Sequence, residues 1–204
     1  MASNDDFCAI GQAITNPCFS HETCDGKHFY FFFMFAKRHS GVFDMFRCVI
    51  PHDLTAEVEE GKEIEIYGEI RTHNTYDGDK RHTMVYVLVR EVYTAHPEAV
   101  PTDRVFLDGY ICKKPIVRDA PLGRRICNLI VEVNHPYGRS SYIPCIVWGA
   151  SADMVGEKNV GDRIMLRGRL QSREYEKDGR IRTAYEVSVE QFGEKELGHG
   201  KGDC

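Results

Sequence analysis

Along much of this chain apolar and polar residues alternate with a period of two, in short runs separated by glycine, proline and charged clusters. That pattern predicts strands with one buried face. Laying the two halves over each other shows that the pattern repeats. Gly61, Ile64, Ile66, Gly68 and Ile70 match Gly161, Ile164, Leu166, Gly168 and Leu170 position for position. Each run leads through a turn, Asp77-Gly78 in one half and Asp178-Gly179 in the other, into a second alternating run over residues 84–89 or 185–189. Each half is therefore predicted to carry a long hairpin. Residues 46–50 align with 143–147, and Gly26-Lys27 with Gly123-Arg124, at one common offset.

In the second copy strands are predicted over residues 105–112, 126–133, 142–148, 163–171 and 183–191. A loop runs from Lys114-Pro115 to Gly123, and a short helix is predicted over 150–157. Each half is too small for a two-sheet sandwich, whereas closing five strands into a barrel removes most unpaired strand edges. Gly68 and Gly168 interrupt strands at matched positions, where a small barrel needs sharp bends. The expected fold class is all-β, two tandem five-stranded barrels over residues 1–96 and 104–192, joined through a segment holding Pro97 and Pro101 and followed by a disordered tail over 193–204.

Charge separates the halves. The formal net charge of −5 would argue against a polyanionic partner, but residues 1–103 hold 9 Lys and Arg against 17 Asp and Glu, whereas residues 104–204 hold 17 against 14. A polyanion is expected to bind the second half. No apolar run is long enough to cross a membrane, and the acidic start of the chain has no apolar signal core, so a cytoplasmic, nucleoid-associated protein is expected. The eight cysteines are scattered, with Cys127 and Cys145 inside apolar strand-like runs where a thiol acts as a small hydrophobe. They imply no disulfide framework.

Holding an unpaired nucleic-acid strand without sequence preference takes aromatic faces for bases and cations for phosphates. The second copy offers both. The candidate rings are Tyr137 after the second strand, Tyr142 opening the third, Trp148 closing it and Tyr175 leading into the last hairpin. The candidate cations are Lys113, Lys114, Arg124, Arg125, Arg139, Arg167, Arg169, Arg173, Lys177, Arg180 and Arg182. A lone tyrosine or tryptophan is as readily a packing residue. Here aromatic and basic residues alternate in Tyr137-Gly138-Arg139 and Arg173-Glu174-Tyr175, at loop edges where a ring has no core to enter.

Residues 105–191 resemble the bacterial single-stranded DNA-binding proteins. The resemblance is carried by Gly109, Pro115, Gly123, Cys127-Asn128-Leu129, Ile146-Val147-Trp148-Gly149, Val160-Gly161-Asp162, the run Gly168-Arg169-Leu170-Gln171-Ser172-Arg173, and Tyr175, in the family's order and spacing. It implies tandem OB-fold barrels, and its base-stacking aromatics fall on Tyr137, Tyr142, Trp148 and Tyr175. It further implies sequence-independent binding of single-stranded DNA in replication, recombination or repair, no enzymatic activity, no cofactor, and a homodimer presenting four barrels. Two barrels per chain are similar to the family's two-domain variant.

The first copy departs from this pattern. Ser40 or a neighbour, Met45, Pro51 and Thr75, with Tyr76 beside it, stand where the second copy has rings. Its run over residues 29–35 is apolar on both faces, which predicts core on one side and a subunit contact on the other. Nearby cations are few beyond Lys27, Lys37 and Arg38. The chain ends in Gly200-Lys201-Gly202-Asp203-Cys204 rather than the family's acidic, apolar-tipped tail. Tail-mediated replication and repair partners are therefore not expected, which opens a specialised or accessory role. Cys18, His21, Cys24 and His28 do not match the usual spacing of a zinc site and are expected to be solvated loop residues. No phosphate-cradling glycine loop, nucleophile elbow or His-Glu-x-x-His motif occurs. The competing reading is a primosome-type accessory or scaffold whose barrels mainly bind protein.

Overall fold

The computed structural model describes residues 4–38, 40–77, 80–120, 123–177 and 179–193. Their contacts separate into two units, one of residues 6–104 and one of residues 105–193 together with residues 4 and 5. The first holds β1 (Asp5–Ala13), β2 (Cys18–Glu22), β3 (His28–Lys37), β4 (Phe43–Pro51), β5 (Glu63–Asp77) and β6 (Lys80–Thr94), with a 3-10 turn over His52–Glu57. The second holds β7 (Thr102–Ile111), β8 (Ile116–Asp119), β9 (Arg125–His135), β10 (Arg139–Trp148), α1 (Ala150–Gly156), β11 (Arg163–Lys177) and β12 (Arg180–Gly193). The residues beyond 193, where a disordered tail is expected, lie outside the described residues.

Each unit is a five-stranded barrel of the same order. In the second, β7 pairs with β11, β11 with β12, β12 runs parallel to β10, β10 pairs with β9, and β9 returns to β7. In the first, β1, β5, β6, β4 and β3 follow the same circuit, closed where Gln12 meets Phe35. The alternation read from the sequence becomes the barrel wall: in β10, Ser141, Ile143, Cys145 and Val147 are buried while Tyr142 and Trp148 are exposed. Across the same interior lie Leu107, Leu129, Val131, Ile164, Leu166, Leu170 and Val187. Burying each large apolar side chain contributes roughly 1.5 to 3 kcal/mol. The first barrel fills its core with larger groups, Phe7 set edge-on to Phe46 together with Phe32 and Met34.

Barrel closure rests on the matched glycines. A Cβ on Gly168 would lie 2.1 Å from the Ser188 carbonyl oxygen, and one on Gly68 2.3 Å from that of Leu88. At the same places the pairing shifts register, between Arg167 and Gly168 and between Tyr67 and Gly68, so both strands carry a bulge. The recurrence of glycine thus has one cause, a strand bent onto its neighbour's backbone. Cys48 and Cys145 face the cores, where burial pushes their thiols up well above the ordinary range. They pack as small hydrophobes.

One element was not anticipated. The loop expected between Lys114 and Gly123 contains β8, which adds to the edge of β9 from Ile116↔Asn128 to Asp119↔Arg125. At four residues it is too short for alternation to register as a pattern. The counterpart in the first barrel is β2, on the edge of β3.

Candidate nucleic-acid interface

Trp148 and Tyr142 lie six positions apart in β10 and so point to the same side of the wall, about 20 Å apart at strand rise. They are 39% and 44% exposed, which rules out a core role for either ring. The indole Nε1–H donates to Ser188 Oγ on β12 at 3.1 Å, laying the ring across that strand. Ser188 pairs with Ile146 on one side and Arg169 on the other, so the outer wall runs continuously from β10 over β12 to β11. Farther along the same face of β11 stand Arg167, Arg173 and Tyr175. Tyr175 is 37% exposed and lies in register with Arg182. Three candidate rings and four candidate arginines therefore share one curved surface built from three adjacent strands.

The cations on this wall are not equivalent. Arg173 is exposed and has no ion-pair partner among the described residues. The Arg169 Nε–H donates to Glu190 Oε1 at 3.2 Å, and the Arg167 guanidinium sits 6.0 Å from the Phe106 ring centre. Gln171 Nε2 donates to Glu186 Oε1 at 2.9 Å. The acidic partners temper the positive field without cancelling it, because exposed ion pairs hold little energy and exchange readily.

Other candidates lie elsewhere. Arg125 donates through Nε to Asp153 Oδ1 at 2.8 Å and through Nη1 to Asp119 Oδ1 at 3.3 Å, tying β9 to α1 and β8. Those two hydrogen bonds, the first the stronger, raise its pKa further above its ordinary value. Lys114 Nζ donates to the Lys158 carbonyl at 3.0 Å, joining two loops. Lys113 and Arg124 are exposed on loops, and Arg139 opens β10 opposite His135. Tyr137 belongs to a 3-10 turn over Pro136–Gly138. The side chains of Tyr137, Lys177 and Arg180 lie outside the described residues.

Arg118 was missed by sequence reasoning. It pairs with Ile126, which pairs with Trp148, so the three form one row across β8, β9 and β10. Its Nε–H donates to Asn128 Oδ1 at 3.1 Å on the same outer wall. The one signal was the β-branched pair Ile116-Val117 before it, a strand-favouring dipeptide inside an apparent loop.

The outer wall of the first barrel is different in kind. Phe31 and Phe33 lie edge to face at 6.0 Å, and the Arg47 guanidinium stands 4.4 Å from the first ring centre and 6.0 Å from the second. Arg47 thus adds a cation to this barrel beyond Lys27, Lys37 and Arg38. Arg38, by contrast, is bonded to the buried carboxylate of Asp44, Nη2 to Oδ1 at 2.6 Å. Met45 and Pro51 stand opposite Phe35 and Phe29. Cys18 and His21 lie in β2 and His28 opens β3, rather than in loops: His21 stacks on Phe29, His28 pairs with Glu22 at 3.4 Å and Cys18 donates to the Asn16 carbonyl.

Known proteins resemble this chain in sequence and in fold. Residues 102–194 match the single-strand binding protein family. A protein of Fusobacterium nucleatum described as a single-stranded DNA-binding protein is 30% identical over 107 residues, covering 47% of this chain and 70% of that protein. Similarly described proteins of Neisseria meningitidis (30% identity) and Streptomyces coelicolor (40% over 58 residues) match 55% and 29% of their own lengths. In fold, the chain resembles the single-stranded DNA binding protein of Thermus aquaticus, in wild-type and deletion-mutant crystal structures. Both superpose with a TM-score of 0.75 at 19% and 17% identity over 98% of this chain and 96% and 98% of theirs.

Proposed function

The chain belongs to the single-strand binding protein family, and from there we propose that it holds single-stranded DNA without base preference on the outer wall of its C-terminal barrel. It serves DNA replication, recombination or repair as a binding protein and not as an enzyme. The observation that carries this reading is the shared exposure of Tyr142, Trp148 and Tyr175 on one wall with Arg167, Arg169, Arg173 and Arg182. Flat rings take bases of any kind, since every base has a π-face, and the arginines take the phosphates between them. Lys113, Arg124 and Arg139, exposed away from this wall, supply further cations for phosphates, and Tyr137, Lys177 and Arg180 are part of the proposed DNA-binding set as one more stacking ring and two more phosphate contacts. A protein-binding scaffold would need no such pairing of rings with cations.

Titration of labelled oligo(dT) at rising salt tests the proposal. Neutralising about four phosphates of a single strand gives a slope near −3 in log affinity against log salt, a loss of roughly fiftyfold between 50 and 200 mM. A salt-independent or absent interaction would favour the scaffold reading.

The N-terminal barrel has the assembly role. Cys18, Phe31, Val49 and Leu88 form one row across β2, β3, β4 and β6, flanked by Phe29, Phe33, Phe35 and Met45. So apolar a wall is suited to a second copy of the chain, giving a homodimer with four barrels. Sedimentation should find a dimer for the unmodified protein, and Phe33→Asp should weaken it by on the order of a hundredfold. A monomeric unmodified protein would remove the assembly role. Within the described residues no helix is long and apolar enough to cross a membrane, and a DNA ligand places the protein at the nucleoid.

A further inference from the structure

We propose that Tyr110 is an additional base-stacking ring, so that the bound strand continues past Tyr142, over Glu132 and onto β7. The inference rests on the C-terminal wall being the DNA surface. It starts from Gly109, where a Cβ would lie 2.3 Å from the Glu132 carbonyl oxygen and 2.7 Å from Val131 Cγ1. That close approach lets β7 close on β9 through two residue pairs, Tyr110↔Glu132 and Ile111↔Val131. Glu132 pairs on its other side with Tyr142. Tyr110, Glu132 and Tyr142 therefore form a row across three strands, and with neighbouring strands about 4.8 Å apart the two rings are separated by about 10 Å.

Three observations point to a ligand rather than to packing. Tyr110 is 44% exposed, the same as Tyr142, so its ring does not serve the core. Its hydroxyl has no hydrogen-bond partner among the described residues, so no protein hydrogen bond ties the ring to the wall. The equivalent closure in the first barrel places Gln12 after Gly11, opposite Phe35, so the fold itself asks for no ring here. Beside Tyr110 on β11 stands Arg163, its guanidinium oriented by both Asp108 carboxylate oxygens at 2.8 and 2.6 Å and half exposed. It is placed to meet a phosphate next to a base on Tyr110.

The test uses the single tryptophan as reporter. Oligo(dT) of increasing length is titrated into the full chain while Trp148 fluorescence is followed. The unmodified protein should gain affinity until the strand reaches Tyr110. Tyr110→Ala should bind the shortest quenching oligonucleotide normally, which also shows that it is folded, and should lose the gain from further length, about fivefold or more. Tyr110→Phe should keep that gain. Identical length dependence in Tyr110→Ala, or equal losses in both variants, overturns the role of the ring. If no oligonucleotide quenches Trp148 in the unmodified protein, the C-terminal wall itself is not the binding surface, and the assignment of Tyr110 falls with it.

Discussion

Replacing Trp148 and Tyr175 together by alanine should weaken binding of labelled oligo(dT) by about thirtyfold or more. Each base stacked on an aromatic ring contributes roughly 1 to 3 kcal/mol, and the two rings sit on different strands of one wall, so their losses should combine nearly additively. Neither substitution opens a core cavity, because both rings are exposed. Trp148→Ala does remove the hydrogen bond to Ser188. A Trp148→Phe variant separates the two effects, since it lacks the N–H but keeps a stacking face. It should bind within a few-fold of the unmodified protein. Fluorescence anisotropy suits the measurement, as the alanine variant has lost its intrinsic reporter. Undiminished affinity in the double variant would remove the wall of β10, β11 and β12 as the DNA surface.

Gly168→Ala should be the most damaging single methyl that can be added to the C-terminal barrel. The new carbon would sit 2.1 Å from the Ser188 carbonyl oxygen, 2.9 Å from its carbon and 3.0 Å from Val189 Cα, all backbone atoms that no rotamer change can move aside. Relief requires β11 to lift from β12 at the bulge, where the barrel turns. A cost on the order of 2 to 4 kcal/mol follows from the range for overpacked, strained sites. In a domain of this size that lowers the melting temperature by roughly 10 to 25 °C. Gly161→Ala is the control: its φ of +91° disfavours a side chain, yet nothing lies within 4 Å of the added carbon. It should cost only about 1 to 2 kcal/mol. Calorimetry of the two variants compares the effects, and equal shifts would mean that close backbone approach at Gly168 does not hold the barrel closed.

Gly168 also shows how far one-dimensional reasoning reaches. Its match with Gly68 in a second, diverged copy marked it as a bend, and the register shift beside it is that bend. Likewise the two faces of β10 were readable because side chains alternate along any strand, so Trp148 and Tyr142 could be assigned to one side without coordinates. Arg125 was not so readable. It belongs to a cluster of cations in the sequence, and only the packing of α1 and β8 around it reveals two carboxylates that hold its guanidinium.

The duplicated barrel, the glycine bends and the outward rings of β10 are legible in the order of residues alone, because they depend on local alternation and on the likeness of one half to the other. Which residues stand beside those rings emerges in the folded barrels: Arg118 in line with Trp148, Tyr110 in line with Tyr142, and Arg47 over the phenylalanines of the first barrel. The reason is that neighbours across strands are set by register. The pattern within one strand fixes which face is buried, but which residue of the next strand stands opposite depends on the turns and on matching the buried faces of both strands.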